Sequence, residues 1–193
     1  MNKDILLCGV GGQGTVLASK IIAATAMNAG NAVHSAETIG MAQRGGSVTS
    51  HVRIGEAYSP LIPQKTADII MAFEPAEAVR NLGYLKKDGI VIVNNVPVKP
   101  VTESLHETGY DGVEMLEFLK KKCSCVIIDS TTLGSAKFLN IAMLGVAVGT
   151  GKLGLSKDQV LEQIKQRVPE KFLQVNIEAF EKGLAIGGEY ETN

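Results

Sequence analysis

Asp4 to Cys8 (DILLC) is apolar almost throughout, the pattern of a short strand buried on both faces. The same reading covers Ala67 to Phe73 (ADIIMAF), Ile90 to Val93 after the turn-forming pair Asp88-Gly89, and Cys123 to Asp129 (CSCVIID). Ala32 to Ala36 is a weaker second strand. Ser47 to Ile54 behaves differently. Val48, Ser50, Val52 and Ile54 alternate with Thr49, His51 and Arg53, which predicts a strand with one exposed face, antiparallel or at an edge. Helical segments are expected at Thr15 to Ala29, closed by Gly30, from Pro75 onward, and at Val113 to Lys122. Lys137 to Val148 is apolar nearly all round and reads as a buried helix ended by Gly149-Thr150-Gly151. Ser156 and Gln159 form a capping box for a helix with Val160, Ile164 and Val168 on one face. Pro169 opens a last helix that carries Leu173, Ile177, Phe180 and Leu184 inward. Asn94 to Asp111, broken by Pro97 and Pro100, reads as an irregular excursion. Alternating strands and helices predict an α/β fold: one three-layer domain over residues 1–193, Rossmann-like, its mixed and mostly parallel sheet covered by helices on both faces.

Composition narrows the function classes. Apolar residues make up 45% and charged residues 20% of the 193, as in ordinary globular proteins. Trp is absent and aromatics are sparse, so stacking platforms for single-stranded nucleic acid are not expected. A net charge of -1 with no block of like charges argues against a nucleic-acid or anionic-membrane surface. The N-terminal apolar run, Ile5 to Val10, is too short for a secretory core, and Ile141 to Val148 is far short of a membrane span. The expected location is the cytoplasm. Cys8 reads as a small hydrophobe in a buried strand, and Cys123 and Cys125 point to one face of another. Neither these nor His34, His51 and His106 have metal-ligand spacing, so no metal is expected. Asp129 to Thr132 ends a strand and either lines a crevice or caps a helix.

Candidate chemistry begins at Gly9-Val10-Gly11-Gly12-Gln13-Gly14, a G-x-G-x-x-G between a strand and a helix. Glycines there let the backbone bend sharply and approach a ligand, and the helix N-terminal amides offer a site for phosphate or carboxylate. Glu37, 23 positions after Gly14, stands where a nicotinamide-binding fold places its ribose-binding acid. The residues that follow weaken that use. Glu37 runs into Thr38-Ile39-Gly40-Met41-Ala42-Gln43-Arg44-Gly45-Gly46, a glycine-punctuated loop rather than a crossover helix. Arg44 beside two glycines can present a planar fork and bare amides to an anion.

The combination of GVGGQGTVLASKIIA, SAETIGMAQRGGSVTSHVRIG and ADIIMAFEPAEAVR resembles the gamma-type subunits of 2-oxoacid:ferredoxin oxidoreductases, in particular the small subunits of indolepyruvate-type members. The resemblance runs over nearly the whole chain, including Asn140 to Gly145 and the helix from Pro169 to Gly183. It implies a subunit, inactive alone, of a complex that oxidatively decarboxylates a 2-oxo acid, gives the acyl group to coenzyme A and passes electrons to ferredoxin. Thiamine diphosphate with magnesium and 4Fe-4S clusters are then expected on a larger partner subunit. This chain has no C-x-x-C-x-x-C run, and Asn94-Asn95 lacks the preceding G-D-G segment of a thiamine site. Its own share would be one wall of the crevice. Gly9, Gly11, Gly12, Gln13 and Gly14 would face an anionic group, and Arg44 with Gln43, Gly45 and Gly46 would clamp a carboxylate or a coenzyme A phosphate. Glu37 would orient the loop or stand solvated. Thr38-Ile39 falls in a variable part of the loop, so pyruvate, 2-oxoglutarate and branched-chain 2-oxo acids remain alternatives. A free-standing NAD(P)-dependent oxidoreductase and a purely bracing subunit also stay open.

Overall fold

In the computed structural model, which describes residues 1–39, 46–99, 109–133 and 135–191, the apolar runs become the middle of one six-stranded sheet. Its strands are β1 (Lys3–Val10), β2 (Val33–Ile39), β3 (Ser47–Ile54), β4 (Ala67–Ala72), β5 (Leu85–Asn94) and β6 (Ser124–Ile128), in the order β2-β3-β1-β4-β5-β6. The helices are α1 (Thr15–Asn28), α2 (Pro75–Asn81), α3 (Val113–Lys122), α4 (Leu139–Gly149), α5 (Lys157–Arg167) and α6 (Glu170–Glu191). Strand alternation splits the core in two. Ile5, Leu7, Val52, Ile69, Met71 and Ile92 pack toward α1, α4, α5 and α6. Leu6, Cys8, Ile70, Ala72, Val91 and Val93 pack toward α2 and α3. Helices on both faces require strands apolar on both faces, which is why the central runs lack polar breaks.

β1, β4, β5 and β6 pair in parallel, and β3 is antiparallel to both of its neighbours. β3 is therefore antiparallel as its alternation suggested, but it is interior rather than an edge. Its supposedly exposed face is covered. Ile62 N–H donates to His51 Nδ1 at 3.1 Å, the Tyr84 ring meets the imidazole edge-on, and Arg53 pairs with Asp4 at 2.8 Å. Asp88-Gly89 is likewise not a turn. It lies inside β5, where the register against β4 shifts between Ala67 and Ile69. A Cβ on Gly89 would stand 2.9 Å from the Ala67 carbonyl oxygen, so the glycine marks a bulge pressed against the next strand.

The last helices also differ from the sequence reading. Residues Ala136–Phe138 form a 3-10 turn, and α4 proper begins at Leu139. The buried face of α6 is Asn176, Ala179, Phe180, Gly183 and Gly187, with Leu173, Ile177 and Leu184 only half-buried. α4 and α6 touch backbone to backbone. A Cβ on Gly145 would lie 2.1 Å from the Phe180 oxygen, and one on Gly183 would lie 2.0 Å from the Ala142 oxygen. Gly149 and Gly187 are as tightly placed, each 2.3 Å from the facing carbonyl oxygen. The two G-x-x-x-G spacings are what let an all-apolar helix be enclosed this closely.

The chain leaves β1 toward β2 and β3 on one side and later resumes at β4 on the other. The strand ends of β1 and β4 therefore part at a switch point, the usual place for a crevice in such sheets. Because β3 runs backward, its first residue, Ser47, also lies at this edge, opposite Val10.

Candidate functional site

The glycine turn sits at the switch point, and each of its conformational demands is visible. Gln13 folds back under the turn. Its Oε1 accepts the Val10 N–H at 2.8 Å, and its Nε2 donates to the Phe73 carbonyl at 2.9 Å. Gly9 makes room for this, since a Cβ there would stand 2.6 Å from the Gln13 oxygen. Gly14 caps α1 in the left-handed region, at φ +81°, with the Asn140 amide packed where a side chain would project. The N-cap residue Gly14 supplies no side-chain hydrogen bond to the first turn of α1.

A line of amides ties the strand ends together. The Phe73 carbonyl, just past β4, accepts from Gln13 and also from Asn94 Nδ2 at 3.3 Å, and Asn94 Oδ1 accepts the Ser130 N–H at 3.3 Å. Gly11 N–H donates to the Gly46 carbonyl at 2.9 Å, which stitches the end of β1 to the start of β3. The turn is thus a fixed part of the sheet edge.

Beside it lies a crevice of about 140 Å³ walled by Val10, Ser47, Glu74, Glu77, Arg80 and Tyr110. Glu74 and Glu77 are both 3% exposed. Glu74 caps α2 by accepting the Glu77 N–H at 3.0 Å, and it accepts the Tyr110 hydroxyl proton on its other oxygen. Burial, and then the bond to Glu74, push the Tyr110 phenol upward, so the ring stays a hydrogen-bond donor. Glu77 accepts the Ser47 hydroxyl at 2.7 Å and pairs with Arg80, whose side chain is 62% exposed.

Gly9, Gly11, Gly12, Gln13, Gly14 and Gly46 are brought together as the sequence suggests. Gln43, Arg44 and Gly45 lie outside the described residues, as does His106. Glu37 is elsewhere: exposed on β2, opposite Ser50 of β3. With β3 between β2 and β1, it lies two strand spacings, about 10 Å, from β1, one spacing further than the acid of a nicotinamide-binding sheet. Sequence reasoning missed Glu74, Glu77, Arg80, Tyr110 and the bridging Asn94. EPAEAVR did carry a signal, with acids three apart directly after a buried strand, where side chains face the crevice end. Of the histidines, His51 is structural, held neutral by burial that lowers its pKa. The Asp129 carboxylate accepts from Thr131 and caps the turn that follows β6.

The thiols do not assemble a cluster site. Cys8 is fully buried, and burial drives its ionisation up. Burial, with Cys123 beside it, lifts the Cys125 thiol to about 12. Among the described residues no three His, Cys, Asp or Glu stand close enough to hold a metal ion, and no helix is long and apolar enough to cross a membrane.

Residues 4–186 match the model of the pyruvate ferredoxin/flavodoxin oxidoreductase family. The chain is 38% identical to indolepyruvate oxidoreductase subunit IorB of Archaeoglobus fulgidus, over 97% of this chain and 98% of that protein. It is 33% identical to the pyruvate/ketoisovalerate oxidoreductases common subunit gamma of Pyrococcus abyssi, over 93% of this chain and 96% of that one. The fold is shared with the gamma subunit of a keto/oxoacid ferredoxin oxidoreductase from Geobacter sulfurreducens (TM-score 0.70, 23% identity, 97% and 99% of the two chains). It is shared too with 2-oxoglutarate:ferredoxin oxidoreductase from Magnetococcus marinus (TM-score 0.74, 21% identity), where it spans 97% of this chain and 31% of that one. A chain so matched from end to end, with its glycine turn set at the switch point, belongs to the pyruvate ferredoxin/flavodoxin oxidoreductase family, as a subunit of a ferredoxin-dependent 2-oxoacid oxidoreductase.

Proposed function

We propose that the chain is the small subunit of an indolepyruvate-type enzyme and that its crevice completes an active site shared with a larger partner. The observation that carries this reading is the full-length similarity, 34% to 38% identity, to subunits named for indolepyruvate oxidoreductases. In this reading the complex decarboxylates an arylpyruvate oxidatively, the acyl group going to coenzyme A and the electrons to ferredoxin. The cytoplasm suits three free cysteines and a soluble electron carrier.

The donor set of this chain does not fit thiamine diphosphate with its magnesium or a 4Fe-4S cluster, since Cys8 is buried in β1, away from the half-buried Cys123 and Cys125 at the start of β6, and the buried carboxylates Glu74 and Glu77 are already bonded. We assign those groups to the partner subunit. What this chain supplies is binding. The Gly11 and Gln13 N–H groups are spent on the Gly46 and Val10 carbonyls, so the Gly12 and Gly14 N–H groups and the first turn of α1 are the donors that meet the negative charge of a substrate carboxylate or a coenzyme A phosphate. Arg44, with Gly45 and Gly46, closes on the same anion from the loop before β3. Glu37, exposed on β2, stands apart from the turn.

The pyruvate/ketoisovalerate relatives favour a second reading, in which the 2-oxo acid is aliphatic. Co-expression with the larger subunit separates the two. Indolepyruvate should give a higher kcat/KM for ferredoxin reduction than pyruvate or 2-oxoisovalerate, and Arg44→Ala should raise KM about tenfold or more. A preference for the aliphatic acids supports the second reading, and unchanged kinetics in Arg44→Ala removes the arginine from the site.

A further inference from the structure

Glu77 is a carboxylate in an expensive place. It lies on the first turn of α2, 3% exposed, where an apolar side chain would pack at lower cost. Both of its oxygens are used, one by the Ser47 hydroxyl at 2.7 Å and the other by Arg80. Ser47 is the first residue of β3, and its neighbour Gly46 accepts the Gly11 N–H at 2.9 Å. One carboxylate therefore connects α2, the start of β3 and, one bond further, the glycine turn. It also holds Arg80 against the crevice wall. Arg80 spends only one of its nitrogens on this pair, which leaves the rest of the guanidinium exposed beside the crevice.

We propose that Glu77 is a positioning residue of this crevice. Its carboxylate fixes Ser47, and through the Gly46–Gly11 bond it fixes the glycine turn in the shape that meets an anionic substrate. It touches no substrate itself. Removing either end of the Ser47–Glu77 bond loosens the turn without emptying the core, because both side chains are small contributors to packing. This inference rests on the reading of the crevice as the place where the complex meets its anion, and its test has one arm that does not.

The first arm is amide hydrogen exchange at Gly11 in the full chain, for Ser47→Ala, Ser47→Thr and Glu77→Gln. Ser47→Ala and Glu77→Gln should exchange the Gly11 amide at least about tenfold faster than the wild type, while Ser47→Thr, which keeps the hydroxyl, should match it. The second arm is the assembled complex, where the two disruptive variants should raise KM for the 2-oxo acid or coenzyme A about tenfold with kcat within about twofold. Unchanged Gly11 exchange in Ser47→Ala, or Ser47→Thr behaving like Ser47→Ala, overturns the proposal. So does a fall in kcat with KM unchanged. If Glu77→Gln does not fold, the two Ser47 variants decide. If the wild-type complex oxidises no 2-oxo acid, the functional reading fails, and Gly11 exchange still decides whether Glu77 holds the turn.

Discussion

Gln13 shows how much a single side chain contributes at the sheet edge. It occupies an x position of a glycine pattern, yet its amide closes the turn on Val10 and binds the turn to the end of β4. Gln13→Leu strands the Val10 N–H and removes one of the two donors to Phe73 O. We expect a loss of about 2 kcal/mol in urea denaturation, the cost of leaving a buried polar group unmet. His51 adds a pH dependence. Burial holds its pKa below the ordinary 6.5, and Nδ1 accepts a hydrogen bond from the Ile62 amide, so the folded state favours neutral imidazole. Above about pH 6.5 neither state is protonated and the contribution is complete. As pH falls below that value the unfolded chain takes up a proton that the folded chain refuses. Stability then declines by at most about 1.4 kcal/mol per pH unit until the folded pKa is reached. Thermal melts between pH 7.5 and 5.5 should show this decline, and His51→Gln, which keeps an acceptor, should flatten it. At this scale the glycines were legible in the sequence because their backbone demands are local. Glu77 was not, because its partners Ser47 and Arg80 are joined only by the fold.

Among the elements, the ones with an unambiguous period were read directly: the buried strands, the capping box at Ser156, the proline-led helices. The misreadings have physical causes. β3 alternates like an edge strand because His51 and Arg53 face the loop of residues 59–62 rather than a helix, His51 accepting from the Ile62 amide and Arg53 pairing with Asp4 and the Ser59 and Leu61 carbonyls. Asp88-Gly89 has turn chemistry, but the glycine serves a bulge against β4. The contact of α4 with α6 was written in Gly145, Gly149, Gly183 and Gly187, and a reading of apolar faces overlooks glycine because it adds no hydrophobic signal. Gly183→Ala tests that contact. Its methyl would stand 2.0 Å from the Ala142 oxygen, so the helices must separate, and we expect a loss of about 3 kcal/mol in chemical denaturation. Gly188→Ala on the same helix, where nothing lies within 4 Å of the added carbon, should be neutral or stabilising.

At the scale of the whole molecule, the insertion of β3 between β1 and β2 decides the use of the glycine turn. In a nicotinamide-binding sheet the second strand adjoins the first and delivers its acid to the ribose. Here it does not adjoin the first strand, and the edge is bordered instead by the start of β3 and the crevice beside α2. The turn keeps its glycine geometry but has no acid on an adjoining second strand. The proposed function makes the chain one wall of a shared site, with the chemistry supplied from a larger subunit. The most direct measurement is to co-express the two chains, purify on a tag carried by this one, and assay indolepyruvate-dependent ferredoxin reduction in the product and in this chain alone. The account predicts a stable complex containing thiamine diphosphate and iron–sulfur clusters, active only as the complex. Activity or NAD(P) binding by the isolated chain, or a larger subunit that is fully active without it, would contradict it.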